Sequence, residues 1–392
     1  MVIENSTLGN FIDAIKNQVR PLKVLLVEPQ KSRKYHTPYP PLGLLKLAAY
    51  HRRRRDMVRL VNGISDDGFE PDIIHITSLF TYAWEPVHEV ICFYSNRYKK
   101  ARVVVGGVYA SLCPDHLNES FGNRIEICQG VVPELDELLP AYWLIPEWKT
   151  SILFSSRGCI RRCPFCSVPK LEPKFEAKKS IKHLIYPGHN KVILWDNNIL
   201  ASPYWRNIFD ELEESGMGVD FNQGLDARLL TEETALSLKR LKIPIIRLAY
   251  DSKGIKESLR KAIGLLKDVG IDGRRIVVYC LYGYLDTPEG FLERIKDLIT
   301  WGVVAYPMRY QPLEPCNKDS YISPNWTKDQ LEMLAKARRV IGYGGAFPPY
   351  EGLKKKILNA NTFEKAFGLR PRTHPRTKAV NHSKKDSKNC TN

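Results

Sequence analysis

Apolar residues along this chain come in short runs separated by longer amphipathic stretches, the rhythm of alternating strands and helices. "KVLLVEP" (Lys23–Pro29) reads as a strand, and a proline pair in "YPPLGLLKLAAYHRRRR" leads into a helical period. "DMVRLVNG" and "PDIIHITSLF" are further strands, separated by the turn-like "GISDDGFE". "EPVHEVICFYSNRYKKA" is an amphipathic helix, "RVVVGG" and "RIEICQG" are strands, and "VPELDELLPAY" closes the series as a helix. This spacing predicts an α/β fold with a parallel, doubly wound sheet over residues 1–142.

After a connector, "WLIPEWKT" (Trp143–Thr150), the alternation resumes. "SILFSSRG", "VILWDNN", "VDFNQG", "IPIIRLAYDS", "RIVVYCLYG" and "AYPMRYQP" are strand candidates, with helical patterns such as "SPYWRNIFDELEESG" and "PEGFLERIKDLITWG" between them. Several of these helices stop at glycine. Six β/α repeats predict a partial (β/α)6 barrel over 143–315, with its site at the C-terminal strand ends. A helical extension is expected over 316–367 and a disordered basic tail over 368–392.

Composition narrows the class. At 392 residues, 43% hydrophobic and 26% charged, the chain suits a two-domain globular protein. No apolar run reaches the roughly 18–20 residues that span a membrane, and the start carries no secretory pattern, so a cytoplasmic location is expected. The formal charge of +16 points to an anionic partner. Basic runs at Lys31–Lys34 and His51–Arg55 and the tail, with Arg370, Arg372, Arg376, Lys378, Lys384, Lys385 and Lys388, keep nucleic acid in view.

Nine cysteines change the picture more. Six stand singly and read as small buried hydrophobes: Cys92, Cys113, Cys128, Cys280, Cys316 and Cys390. The other three crowd into "FSSRGCIRRCPFCSVP" as Cys159, Cys163 and Cys166. Disulfides are disfavoured by the reducing compartment and the odd total. Structural zinc usually takes paired CxxC units or a spaced histidine pair, and His183 and His189 lack that spacing. A four-iron cluster on three thiolates, leaving one iron open, makes better sense of the set. Gly158 and Pro164 would shape the crowded loop, and Arg157, Arg161 and Arg162 would offset its negative charge.

The "GCIRRCPFC" stretch resembles the CxxxCxxC signature of radical S-adenosylmethionine (SAM) enzymes, including the aromatic Phe165 before the third cysteine. That resemblance implies a [4Fe–4S] cluster on Cys159, Cys163 and Cys166, with SAM on the fourth iron and reductive cleavage to a 5′-deoxyadenosyl radical. It also implies an electron donor of flavodoxin or ferredoxin type. Upstream, "YPPLGLLKLAAY", "PDIIHITS" and "VVVGGVYASLCPDH" resemble the Rossmann-like, cobalamin-binding-type domain of the B12-dependent subfamily. The DxHxxG ligand motif is missing, and His36 and His75 are isolated, so cobalamin, with methyl transfer, is allowed rather than required.

By position, the resemblance assigns SAM contacts at successive strand ends. Asp196 and Asn198 follow the second barrel strand, Asn222 and Arg228 the third, Asp251 the fourth and Gly283 the fifth. Arg228 could pair the SAM carboxylate in bidentate fashion. Local structure competes at several of these places: an Asx turn at Asp196, and a helix cap after Asp226 in "TEE". The alternative class is a nucleic-acid-binding protein whose cysteine knot holds a structural metal. No residue identifies the substrate.

Overall fold

The computed structural model describes residues 20–29 and 38–369. The basic run Lys31–Lys34, His36 and the tail from Arg370 onward lie outside the described residues.

The first sheet is built from β1 (Lys23–Glu28), β2 (Met57–Asn62), β3 (Ile73–Ser78), β4 (Arg102–Gly107) and β5 (Glu126–Cys128). All five run parallel in the order β2-β1-β3-β4-β5. The continuous burial of Val24–Val27 follows from cover on both faces. On one side, α1 (Leu42–Arg53) lays Leu44 and Ala48 against Val24, Leu26 and Ile73. On the other, α2 (Trp84–Arg97) packs Val87, Ile91 and Tyr94 on Leu25, Ile74 and Val105. Two short helices, α3 (Val108–Leu112) and α4 (Pro114–Phe121), follow β4. The helix expected in "VPELDELLPAY" is only one turn long, α5 (Pro133–Asp136), with a 3-10 turn at Tyr142–Leu144. Pro140 cannot donate to a continuing helix, and Asp136 is drawn into ion pairs described below.

All six later strands form. β6 (Thr150–Leu153) is followed by a small antiparallel pair, β7 (Ser156–Arg157) and β8 (Glu176–Ala177), which brackets the helical turn α6 (Val168–Leu171). Then come β9 (Lys191–Leu194), α7 (Trp205–Ser215), β10 (Gly218–Phe221), α8 (Glu232–Arg240), β11 (Ile246–Ala249), α9 (Lys256–Asp268), β12 (Ile276–Tyr282), α10 (Pro288–Thr300) and β13 (Val304–Arg309). β6, β9 and β10 make one parallel sheet, and β11, β12 and β13 a second. Val219 N–H to Lys242 C=O (2.9 Å) and Leu225 N–H to Arg247 C=O (2.8 Å) stitch the seam, so spatial order follows chain order.

Strand alternation divides the faces. Leu153, Val192, Leu194, Val219 and Phe221 meet the helices, while Ile152 and Ile193 turn the other way. Asp220, in register with Ile193, shares that second face, where it pairs with Arg247 and Lys191. Tyr39, just ahead of α1, packs there edge-on against Trp195 at 5.5 Å. Three further helices, α11 (Lys328–Val340), α12 (Glu351–Leu358) and α13 (Phe363–Phe367), join the main core through Leu334, Ile357, Phe363 and Phe367. Among the described residues no helix is long and apolar enough to cross a membrane.

Candidate functional site

The cysteine loop leaves the C-terminal end of β6 and is pinned at once. Asp196, just beyond β9, accepts from Ser155 Oγ at 2.6 Å, Ser156 Oγ at 2.7 Å and the Ser155 N–H at 3.1 Å. Burial raises its pKa, against the pull of those bonds. The β7–β8 pair then returns the loop onto its own stem, with Arg157 opposite Glu176.

Gly158 permits the turn into the cysteines. Its φ is +73°, and a Cβ there would stand 2.1 Å from the Lys174 carbonyl oxygen, so only glycine fits. The Gly158 N–H donates to Glu172 Oε2 at 2.6 Å. Glu172 also accepts from Arg157 Nη1 at 3.0 Å and Asn197 Nδ2 at 2.9 Å, tying both ends of the loop to β9.

Within the loop, Cys159 Sγ accepts from the Arg161 N–H at 3.3 Å and lies 3.7 Å from Asn198 Nδ2. The Cys166 N–H donates to the Cys163 carbonyl at 3.0 Å. Burial pushes the Cys163 and Cys166 thiols up, and Arg228 draws Cys163 back down. Each of these two also feels Cys159 and Asp251, so the three thiols lie within electrostatic reach of one another. Among the described residues, no three His, Cys, Asp or Glu side chains are gathered tightly enough to hold a single metal ion.

Around the thiols stands a polar shell from successive strand ends. Asn198, 2% exposed, donates to Asp226 Oδ2 at 3.3 Å, while its Oδ1 is buried with no hydrogen-bond partner. Asp226 takes Arg228 Nε at 2.7 Å, Arg228 Nη2 at 3.1 Å and Arg161 Nε at 3.0 Å. Burial would raise its carboxyl, but these guanidinium groups outweigh burial and hold it below the ordinary carboxylate value. Arg228 remains partly exposed and reaches Cys163 and Cys159 electrostatically. Asp251, beyond β11, is pushed up to about 6 by burial, against the pull of Arg294 and Arg228. Behind it, Arg294 of α10 is 2% exposed and bonds the Tyr250 carbonyl at 2.7 Å and Asp286 Oδ2 at 2.5 Å.

The β12 side supplies an aromatic wall. Phe165 meets Tyr284 edge-on at 5.9 Å, Tyr284 meets Tyr310 at 4.7 Å, and Tyr310 meets Tyr321 at 5.2 Å. Gly283, with φ +73°, lies beside Tyr284 and against Leu331. Hydrogen bonds and electrostatic interactions thus link Cys159, Cys163, Cys166, Asn198, Arg228 and Asp251 into one cluster, and Phe165 reaches Tyr284, the neighbour of Gly283. Asp196 and Asn222 are turned elsewhere. Asp196 locks the loop stem, and Asn222 Nδ2 donates to Tyr39 Oη at 2.8 Å.

Three site-supporting residues escape a reading of the sequence: Lys46, Asp136 and Glu172. Lys46 and Asp136 are partners across 90 positions, and nothing local to either announces the other. For Glu172, the one signal was its place shortly after a cysteine loop rich in arginine.

No protein-family model matches this chain, and no curated protein matches it. Among solved structures, coproporphyrinogen III oxidase (HemN) from Escherichia coli, described as a radical SAM enzyme, superposes with a TM-score of 0.35 and 13% identity. The match covers 53% of this chain and spans 57% of the length of that one. A superposition this loose decides neither the fold nor the activity of this chain.

Proposed function

We propose that this protein is a radical SAM enzyme, in which Cys159, Cys163 and Cys166 hold a [4Fe–4S] cluster and SAM completes the coordination of the fourth iron. On this reading the six later strands are a partial (β/α)6 barrel, preceded by a Rossmann-like domain. The observation that carries it is the placement of three thiols on one closed loop at the C-terminal end of β6, beside the unpartnered Asn198 Oδ1. That is the end of a parallel β/α array where reactive groups collect.

The donor set suits iron and sulfide. Soft thiolates select zinc, copper(I) or iron–sulfur clusters. A lone tetrahedral zinc, bound at about 2.3 Å from each sulfur, would need its ligands drawn into a tight group. A cluster seats each thiolate on its own iron. When bound and reduced, the cluster supplies an electron that cleaves SAM to methionine and a 5′-deoxyadenosyl radical, which abstracts hydrogen from a substrate.

The chain's own residues bind and orient. Asn198 Oδ1 is a buried acceptor, suited to the SAM ammonium, and leaving it unpaired would cost roughly 1–3 kcal/mol. Arg228 presents a guanidinium to the SAM carboxylate while Asp226 fixes its orientation. Asp251 can hold a proton or accept a hydrogen bond near neutrality because burial has lifted it to about 6. Gly283 offers backbone beside the aromatic wall, where adenine would lie.

Anaerobic reconstitution with iron and sulfide, reduction and addition of SAM test this reading. Wild-type protein should release 5′-deoxyadenosine, and protein carrying Cys159→Ala, Cys163→Ala and Cys166→Ala should not. Bound zinc with no iron cluster would move the protein to the nucleic-acid-binding reading with a structural knot.

A further inference from the structure

The cobalamin branch meets an obstacle in the first sheet. In the order β2-β1-β3-β4-β5, ligands sit outside the carboxyl ends of the strands at the switch between β1 and β3. A cavity lies instead between α1 and the strands β3 and β4, with no β1 residue in its wall, and it holds only about 250 Å³. Pockets for drug-sized ligands run to about 300–1,000 Å³, and a corrinoid is larger than a drug-sized ligand. Lys46 from α1, Thr77 from β3, Gly106 from β4, Asp136, Arg157 and Glu172 line it, so the opposite wall belongs to the cysteine loop.

What fills the remaining space is a buried ion network. Asp136 is 6% exposed and Lys46 is 5% exposed. Lys46 Nζ reaches the Asp136 carbonyl at 2.8 Å and its Oδ1 at 3.2 Å. Arg157 reaches Oδ1 through Nε at 3.0 Å and Nη2 at 2.5 Å, and Lys178 Nζ reaches Oδ2 at 3.0 Å. Arg157 sits with its Cζ over the Phe154 ring, 3.3 Å from the centroid, and passes the link to Glu172, which grips the Gly158 N–H. A continuous chain of charge-assisted bonds thus runs from α1 to the residue before Cys159.

We propose that the first α/β unit is an ion-paired mount for the cysteine loop, with Asp136 as its positioning residue, and that the cavity this mount borders has no room for a corrinoid. Opening room for a corrinoid would displace Lys46 and Arg157, the two cations of the cavity wall, from one buried carboxylate. The iron arm of the test rests on the radical SAM reading, and the other arms do not.

Full-length protein is compared with Asp136→Asn, Asp136→Glu and Glu172→Gln, using Glu126→Gln, in an exposed pair with Arg102, as the control. Asp136→Asn and Glu172→Gln should raise amide exchange across residues 158–166 by about tenfold or more. In reconstituted protein they should speed iron release to a chelator by roughly 10–100-fold. Asp136→Glu should recover most of both losses, and Glu126→Gln should change neither. Wild type incubated with hydroxocobalamin and desalted should retain no corrinoid. Unchanged exchange in both Asp136→Asn and Glu172→Gln, or stoichiometric retention of corrinoid, would overturn the proposal. If wild type forms no cluster, the radical SAM reading fails while exchange and corrinoid retention still decide this one. If Asp136→Asn does not fold, Glu172→Gln, which leaves Asp136 with its three cations, carries the test.

Discussion

At Gly158 a hydrogen in place of a methyl group decides whether the cysteine loop can close. With φ at +73° and a carbonyl oxygen 2.1 Å from where Cβ would stand, alanine must move the backbone. Gly158→Ala should cost roughly 1–3 kcal/mol of local strain. Iron content after reconstitution should drop while far-UV circular dichroism stays unchanged, and normal iron loading would refute this account of the turn. Asp251 makes a second residue-scale case. Its carboxyl titrates at about 6 in the folded chain, against about 3.9 in an unfolded one. Between those values the folded state binds more protons than the unfolded one, so stability falls as pH rises through the window. At about 1.4 kcal/mol per unit, the full effect is on the order of 2–3 kcal/mol. Asp251→Asn should flatten that decline in urea midpoints of iron-free protein between about pH 4 and pH 7. Equal slopes in wild type and variant would contradict it.

Elements were largely legible from the chain, because their signals are local. Every strand from "KVLLVEP" to "AYPMRYQP" forms, since short apolar runs bounded by turns leave the backbone few alternatives. The Thr231 cap expected from "TEE" also forms, with Thr231 Oγ1 accepting from the Thr234 N–H at 3.3 Å. What failed depended on partners far away in sequence. "VPELDELLPAY" has helical periodicity, yet only Pro133–Asp136 coils, because the pull on Asp136 comes from Lys46 and Arg157. The bond from Asn222 Nδ2 to Tyr39, 183 positions away, has no local signal either. The "extension" of α11 to α13 is no appendage, since Phe347, Phe363 and Phe367 are each fully buried in the same core as the strands. Phe363→Ala should therefore cost roughly 3–5 kcal/mol in urea unfolding of the whole chain. A loss under about 1 kcal/mol would show these helices to be loosely attached.

On the scale of the whole molecule, two parallel α/β units meet where one presents its cavity and the other its cysteine loop. The charge of +16 belongs partly to segments outside the described residues, so the described architecture takes its functional meaning from the thiols and their shell. The cluster proposed for this loop would have a direct signature in its electronic structure. The most direct measurement is electron paramagnetic resonance of the reconstituted, dithionite-reduced protein before and after addition of SAM. A reduced four-iron signal whose g values move on SAM binding is the predicted result, because the iron without a cysteine is open to it. A signal indifferent to SAM, or no iron signal at all, would contradict the central claim.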